Sequence, residues 1–77
     1  MSVRWYGHRG NGEAAVGPLR LIVWEGLAGW RWVVRGGAGV NDPGGTARAS
    51  SEARTLAENA ARAMLDRWRA EMGEVTA

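Results

Sequence analysis

Few side chains in this sequence could perform acid–base or nucleophilic chemistry. The chain of 77 residues contains no cysteine and no lysine, and His8 is its single histidine. No acidic residue near His8 is an obvious partner to orient it as a general base. The serines lie outside any strand–turn–helix motif of the kind that exposes a nucleophile. We therefore expect no catalytic residues, and we expect that the protein is not an enzyme.

Cofactor and metal sites are also not expected. Without cysteine the chain cannot build a thiolate zinc site or an iron–sulfur centre. Residues 10–15 loosely follow the glycine pattern of dinucleotide sites, but that site needs a long helix after it, and Pro18 with the following hairpin prevents one. The glycine-rich stretch 36–45 lacks the lysine that a phosphate loop requires. We predict no cofactor, no metal ion and no small-molecule substrate.

Tryptophan and arginine provide the remaining chemistry, which is that of recognition. The sequence has five tryptophans and ten basic residues, all of them arginines, with a net charge of +2. Residues 1–49 hold six arginines and three acidic residues, so the basic surplus lies in the first half. A tryptophan flanked by arginines is typical of protein interfaces and of nucleic-acid contacts. The net charge by itself is too small to predict nucleic-acid binding.

The first half of the chain must position these side chains on strands. Alternation of Val3 and Trp5 with Arg4 and Tyr6 predicts a strand over about residues 2–8. The turn signals Gly10-Asn11-Gly12 and Gly17-Pro18 predict a loop, with a short extended piece between them as an option. Two apolar segments, 19–25 and 30–36, predict a β-hairpin. Residues 46–49 could add one further strand.

The register of the hairpin can be argued from its two faces. A loop of four residues, 26–29, pairs Glu25 with Trp30 and Val23 with Trp32. One face then carries only apolar residues, which are Leu19, Leu21, Val23, Trp30, Trp32 and Val34. A shift of one residue would mix apolar and charged side chains on both faces. The other face carries the predicted partner-binding residues, which are Arg20, Ile22, Trp24, Arg31, Val33 and Arg35.

The second half of the chain predicts one helix over about residues 51–72. Its interior is rich in alanine and free of proline and glycine, and its apolar residues from Ala53 to Met72 form one stripe. Gly73 is expected to end it. The predicted fold is therefore α+β, a single domain over residues 1–77. An antiparallel meander of three strands, optionally four, packs on one C-terminal helix and leaves one face of the sheet open.

The pattern resembles small DNA-binding domains with three strands and one helix. The shared features are the antiparallel sheet rich in tryptophan and arginine, the segment 45–53 and the alanine-rich helix around 60–63. The outline is similar to the DNA-binding domain of plant ethylene-response factors and to the arm-binding domains of phage integrases. Such domains read the major groove from the sheet. The resemblance implies that Arg20, Trp24, Arg31 and Arg35 would contact DNA.

The sequence therefore leaves two functions open. The first is a non-catalytic module that docks a macromolecular partner, either another protein or a second copy of the chain, through the sheet face with tryptophan and arginine. The alternative is a DNA-binding domain. In size alone the chain is similar to phage-encoded inhibitors such as anti-CRISPR proteins, which suggests an accessory or inhibitor role in a phage or mobile element.

The expected location is the cytoplasm. The longest apolar run, residues 21–24, is far shorter than the ~20 residues of a membrane span. The N-terminal residues carry Arg4 and His8 where a signal peptide would be apolar. We therefore predict a cytoplasmic protein of bacterial or phage origin that has no membrane partner.

Overall fold

Five antiparallel strands form one sheet, and a single C-terminal helix packs against it. The computed structural model describes residues 3–7, 11–36 and 42–76. The strands follow one another in space in the order β1-β2-β3-β4-β5. This confirms the predicted α+β meander with a C-terminal helix, and gives it five strands rather than three or four. The elements are β1 (Trp5–Tyr6), β2 (Gly12–Val16), β3 (Leu19–Gly26), β4 (Gly29–Arg35), β5 (Gly44–Ala47) and α1 (Ser50–Thr76).

The central hairpin of β3 and β4 has the predicted register. Glu25 pairs with Trp30 and Val23 pairs with Trp32. The loop is shorter than predicted, because Gly26 pairs with Gly29 and only two residues remain in the turn. Since the same residues face each other either way, the shorter loop leaves both faces of the hairpin as predicted.

Strand β2 replaces most of the loop predicted over residues 10–18 and lies where a short extended piece was the option. It lies between β1 and β3 and pairs with both. Gly17, with φ of 59°, takes the first position of the two-residue turn into β3, where hairpin turns of this length require a positive φ. The strand has few large apolar residues to mark it in the sequence. Ala14 is nonetheless only 3% exposed, because strands flank it on both sides and the core lies beneath it.

Three predicted boundaries also change. Strand β1 spans only Trp5–Tyr6, and the outer positions Ser2 and His8 of the predicted strand lie outside the described residues. Strand β5 lies at 44–47 rather than 46–49, because residues 48–49 bend into the helix. Helix α1 continues through Gly73 to Thr76. One glycine costs a helix only about 1 kcal/mol relative to alanine, which does not end it when its neighbours favour helix.

The core lies between α1 and one face of the sheet, which we call the helix face. Among the residues that the structure describes, the largest fully buried side chains are apolar residues of β3 and β4. The helix meets them with alanines, whose small size allows close approach, and Ala53, Ala57 and Ala61 are fully buried. Bulkier residues further along the helix are half-buried against the same core. The fully buried sheet residues are Leu19, Leu21, Val23 and Val34.

Two tryptophans, Trp5 and Trp32, pack at opposite sides of this core. Trp5 on β1 donates a hydrogen bond from its indole Nε1 to the Glu58 carboxylate of α1, over 2.7 Å. The Arg54 guanidinium lies over the same indole, 5.3 Å from the ring centroid. On the other side, Trp32 packs on Gly45, where a Cβ atom would lie 3.2 Å from the indole Nε1. Both ends of the sheet are thereby tied to the central packing.

Candidate functional site

The alternation of side chains along β3 and β4 positions the candidate site. Because Leu21 and Val34 point toward α1, their neighbours in each strand point to the opposite side, which we call the open face. All six residues predicted to bind a partner lie on the open face. The structure thus confirms the predicted placement of these side chains, while their role in binding stays a prediction. They are Arg20, Ile22 and Trp24 on β3, and Arg31, Val33 and Arg35 on β4.

The register arranges the open face in three rows across the strands. The middle row runs from β1 to β5 through Tyr6, Glu13, Ile22, Val33 and Gly44. One flanking row consists of Ala15, Arg20 and Arg35. The other consists of Trp24, Arg31 and Thr46. Apolar side chains therefore occupy the centre of the face, and arginines lie on both sides of it.

The apolar part of the open face is accessible to a partner. Trp24 is 38% exposed and Tyr6 is 64% exposed, so both aromatic side chains present apolar surface to solvent. Ile22 and Val33 between them are half-buried. A face with this mixture of a large aromatic side chain and β-branched aliphatic residues can exclude water from a contact without being part of the core.

The charges on the open face are unbalanced. Arg20 Nε lies 3.0 Å from the Glu13 Oε1 atom, and both side chains are more than half exposed, at 67% and 54%. Arg20 also lies directly opposite Arg35, and like charges in this position repel each other. Glu13 offsets part of that repulsion. With Arg31 included, the face carries three arginines against one glutamate, so it presents a positive surface.

Arg31 lies over Gly26 at the hairpin end. A Cβ atom at Gly26 would be 3.3 Å from the Arg31 Nε atom, so the glycine provides the space that this side chain occupies. Arg31 is exposed and pairs directly with Trp24 across the two strands. The predicted neighbourhood of tryptophan and arginine is therefore present, with an accessible guanidinium beside an accessible indole.

Sequence reasoning missed the residues that β1, β2 and β5 add to this face. Tyr6 and Glu13 line a shallow hollow of about 260 Å³ with Ala14, Ala15 and Arg20. The missed signal is the pair of residues at 17–18, since apolar residues separated by two residues that begin with glycine are a hairpin pattern. Reading that turn would have placed Glu13 beside β3 and on the same face as Arg20.

A second depression lies on the far side of the sheet from this hollow. It has a volume of about 230 Å³ and lies between Val3, Val16 and the helix. Its apolar floor is completed by Leu65, and its rim carries acidic and basic side chains in equal number, which are Glu58, Arg62, Asp66 and Arg69. With balanced charge at the rim, it offers no electrostatic preference of the kind seen on the open face.

The described residues do not contain an obvious catalytic or metal centre. No group of three histidine, cysteine or carboxylate side chains among them could hold a metal ion. Ser50 and Ser51 belong to the first turn of α1, where the Ser51 carbonyl accepts a hydrogen bond from Thr55 Oγ1 over 3.0 Å. His8 and Ser2 lie outside the described residues. The arrangement that the described residues do show is an exposed sheet face with tryptophan and arginine side chains.

Two observations complete the description of the site. Over residues 3–7, 11–36 and 42–76, no helix has both the length and the apolar character needed to cross a bilayer. Comparison with known proteins adds no relative, since no family model, curated protein or solved structure matches this chain.

Proposed function

We propose that this protein is a non-catalytic binding module that docks an acidic surface of a partner protein on its open face. The observation that carries the proposal is the grouping of Trp24, Ile22 and Val33 on the side away from the helix, with arginines on both flanks. Protein interfaces concentrate binding energy in tryptophan and arginine at positions where neighbouring residues exclude water. The open face has this composition, while the helix face is occupied by the protein's own core.

The charge of the open face favours a different protein over a second copy of the chain. Two copies stacked face to face would bring three arginines and one glutamate against an identical set. Like charges brought together across an interface cost several kcal/mol. An acidic partner instead gains attraction to Arg31 and Arg35, and its carboxylates can compete with Glu13 for Arg20. The positive surface would also accelerate the encounter with such a partner at low salt.

DNA binding is the second candidate, and the pairing of Arg20 with Arg35 is the observation that favours it. Two adjacent guanidinium groups on a sheet can contact neighbouring phosphates, and β-strands can enter the major groove. The Glu13 carboxylate, 3.0 Å from Arg20, would be repelled by the same phosphates. For this reason we rank an acidic protein surface first. An accessory or inhibitor role in a bacterial cytoplasm is part of the first proposal, and the small size of the chain supports it.

Affinity capture from a lysate of the source cells, with matched variants as bait, tests the proposal. Wild-type protein should retain a partner that forms a defined complex when both proteins are purified. Trp24→Ala should weaken that complex about 30-fold or more, the equivalent of ~2 kcal/mol at an interface hot spot. Arg31→Ala should weaken it in the same direction. Arg67→Ala removes the same charge from an exposed position on α1 and serves as the control.

Several results would count against the proposal. A complex of unchanged affinity with both Trp24→Ala and Arg31→Ala would move the binding site away from the open face. Binding of a short DNA duplex in about 50 mM salt, with an affinity that falls steeply as salt increases, would favour the second candidate. Self-association that Trp24→Ala abolishes would identify a second copy as the occupant.

A further inference from the structure

Strand β5 forms one edge of the sheet, and no described strand pairs with its outer side. Three of its four residues are exposed. The opposite edge, β1, is only two residues long and is tied to α1 by the hydrogen bond between Trp5 and Glu58. The two edges therefore differ in how much backbone they offer to another chain.

One hydrogen bond identifies which backbone groups of β5 point outward. Val34 N donates to the Pro43 carbonyl over 2.9 Å. In an antiparallel ladder, hydrogen-bonded pairs alternate with non-bonded pairs. The pairs of Trp32 with Gly45 and of Trp30 with Ala47 are therefore the bonded ones in the observed register. The N–H and C=O groups of Gly44 and Thr46 consequently point away from β4, toward the outer side of the sheet.

Strand β5 has only some of the features with which proteins protect such an edge. Natural edge strands are blunted by short length, charged side chains, prolines or bulges. The strand Gly44–Ala47 is short and follows Pro43, but it contains no charged side chain and no proline, and its register with β4 is regular over all four pairs. Its two residues on the open face lie beside residues of the proposed site, because Thr46 pairs with Arg31 and Gly44 pairs with Val33. Since Gly44 has no side chain, Val33 remains reachable from the edge.

We propose that an extended segment of an acidic partner protein adds to β5 as a sixth strand. Its backbone would exchange hydrogen bonds with the outward N–H and C=O groups of Gly44 and Thr46. An apolar side chain of that segment, facing Gly44, would contact Val33 on the open face. This inference rests on the proposed function, because the rest of the same partner would then cover Trp24 and Arg31.

A second copy of the chain fits this edge less well. Two β5 strands could pair about a two-fold axis at Gly45 and satisfy the same backbone groups. A pairing of four small residues would bury far less than the roughly 1,200 Å² of a stable interface. It would also place two positively charged open faces side by side. A partner protein that covers both the edge and the open face buries more area and complements the charge.

A pair of substitutions at Thr46 tests the inference. Thr46→Pro removes the outward N–H, and proline is tolerated at an edge position whose N–H faces solvent, so the ladder with β4 should be kept. Thr46→Val retains the N–H and nearly the same shape, and is the matched control. Circular dichroism and thermal unfolding should show that both variants fold as the wild type does.

The probe is a set of dodecapeptides selected on the wild-type protein from a random library displayed on phage, then synthesised. We expect Thr46→Pro to weaken their binding about tenfold or more, because hydrogen bonds to the edge backbone are lost. Thr46→Val should bind within about twofold of wild type. Hydrogen exchange measured by NMR should show that peptide binding slows exchange at the Gly44 and Thr46 amides. The Gly45 and Ala47 amides, already bonded to β4, should change little.

The outcomes separate the two proposals. Unchanged peptide affinity in Thr46→Pro, with loss of binding in Trp24→Ala, would overturn strand addition and leave docking on the open face standing. Loss in Thr46→Pro with none in Trp24→Ala would support strand addition, because the peptide replaces only the segment at the edge and not the part of the partner that covers Trp24. Failure to select any peptide would overturn the inference. Concentration-dependent self-association that only Thr46→Pro abolishes would do the same, by assigning the edge to a second copy.

Discussion

The two faces of the β3–β4 hairpin are built from adjacent residues and differ in almost every property. On the helix face, Leu21 and Val34 are completely buried, and no polar or charged side chain of the described residues is buried with the core. On the open face lie the alternate residues of the same two strands, which include Arg20, Arg31 and Arg35, all exposed, and Trp24. The comparison shows that a single hairpin can separate a buried apolar face from an exposed, charged one by alternation alone.

The energies associated with the two faces differ in the same way. Burying one large aliphatic side chain contributes about 1.5–3 kcal/mol to folding. An exposed ion pair such as Arg20 with Glu13 contributes about 0.2–1 kcal/mol. The helix face therefore supplies most of the stability, and the open face can change with little effect on the fold. Substitutions at adjacent positions can test this contrast directly.

The largest contrast is expected between Leu21→Ala and Ile22→Ala. Leu21 is fully buried under α1, and its truncation should lower the free energy of unfolding by about 3–4 kcal/mol through lost burial and a cavity. Ile22 lies one residue later, on the open face. Ile22→Ala should lower the free energy of unfolding by about 1 kcal/mol, because Ile22 is only half-buried. Urea unfolding followed by tryptophan fluorescence measures both values. Equal losses would show that the open face is covered by a part of the protein that packs on Ile22.

The next largest difference in stability is expected between alanine variants of the two hairpin tryptophans, Trp32 and Trp24. Trp32→Ala should cost about 3 kcal/mol because the indole packs against the core and over Gly45. Trp24→Ala should cost about 1 kcal/mol or less in stability, although it is the variant that we expect to weaken binding of the proposed partner. The same unfolding experiment applies, with thermal unfolding as a second measurement. A larger loss in Trp24→Ala would reverse the assignment of the two faces.

Trp32→Phe sharpens the same comparison. The Trp32 indole N–H is buried without a hydrogen-bond partner among the described residues, and a buried unpaired donor costs about 1–3 kcal/mol. Phenylalanine removes the donor while keeping an aromatic ring. Removal of the unpaired donor should offset part of the lost packing. Trp32→Phe should therefore lose only about 1 kcal/mol of stability, well below the loss in Trp32→Ala.

A smaller effect is expected at the hydrogen bond that joins β1 to α1. Glu58→Ala removes the acceptor 2.7 Å from Trp5 Nε1, and should lower stability by about 1–2 kcal/mol. Glu58→Gln keeps an oxygen acceptor and should recover about half of that loss. Hydrogen exchange should show the loss mainly at the amides of β1 and β2. A free energy of unfolding in Glu58→Ala equal to that of the wild type would mean that the contact adds nothing to the fold.

The smallest effect on folding is expected at Glu13. Glu13→Gln removes an exposed ion pair with Arg20, and should change stability by less than about 0.5 kcal/mol. The same change makes the open face more positive and frees Arg20 for an acidic partner. Association with that partner should become faster, and more so at low salt than at high salt. Stopped-flow mixing at two salt concentrations measures this, and slower association would contradict the proposed charge complementarity.

Much of the fold could be predicted because its strongest signals are local and periodic. The one register that leaves a wholly apolar face on β3 and β4 predicted the hairpin pairing and assigned each residue to a face, since a shift of one residue would expose Leu21. The alanine-rich segment after residue 50 predicted α1 within one residue at its start. The two-residue period also identified all six residues of the open face in the central hairpin.

Other features were decided only by tertiary contacts. Strand β2 is a strand because β1 and β3 flank it, and nothing within residues 12–16 compels that state. The contact of Trp5 with Glu58 joins positions 53 residues apart. The pairing of β5 with β4 determines which amides of β5 face outward. The hydrogen bond from Val34 N to the Pro43 carbonyl identifies one bonded pair, and bonded and non-bonded pairs alternate from there. Sequence patterns record periodicity within one segment, whereas these features depend on which distant segments meet and in which phase.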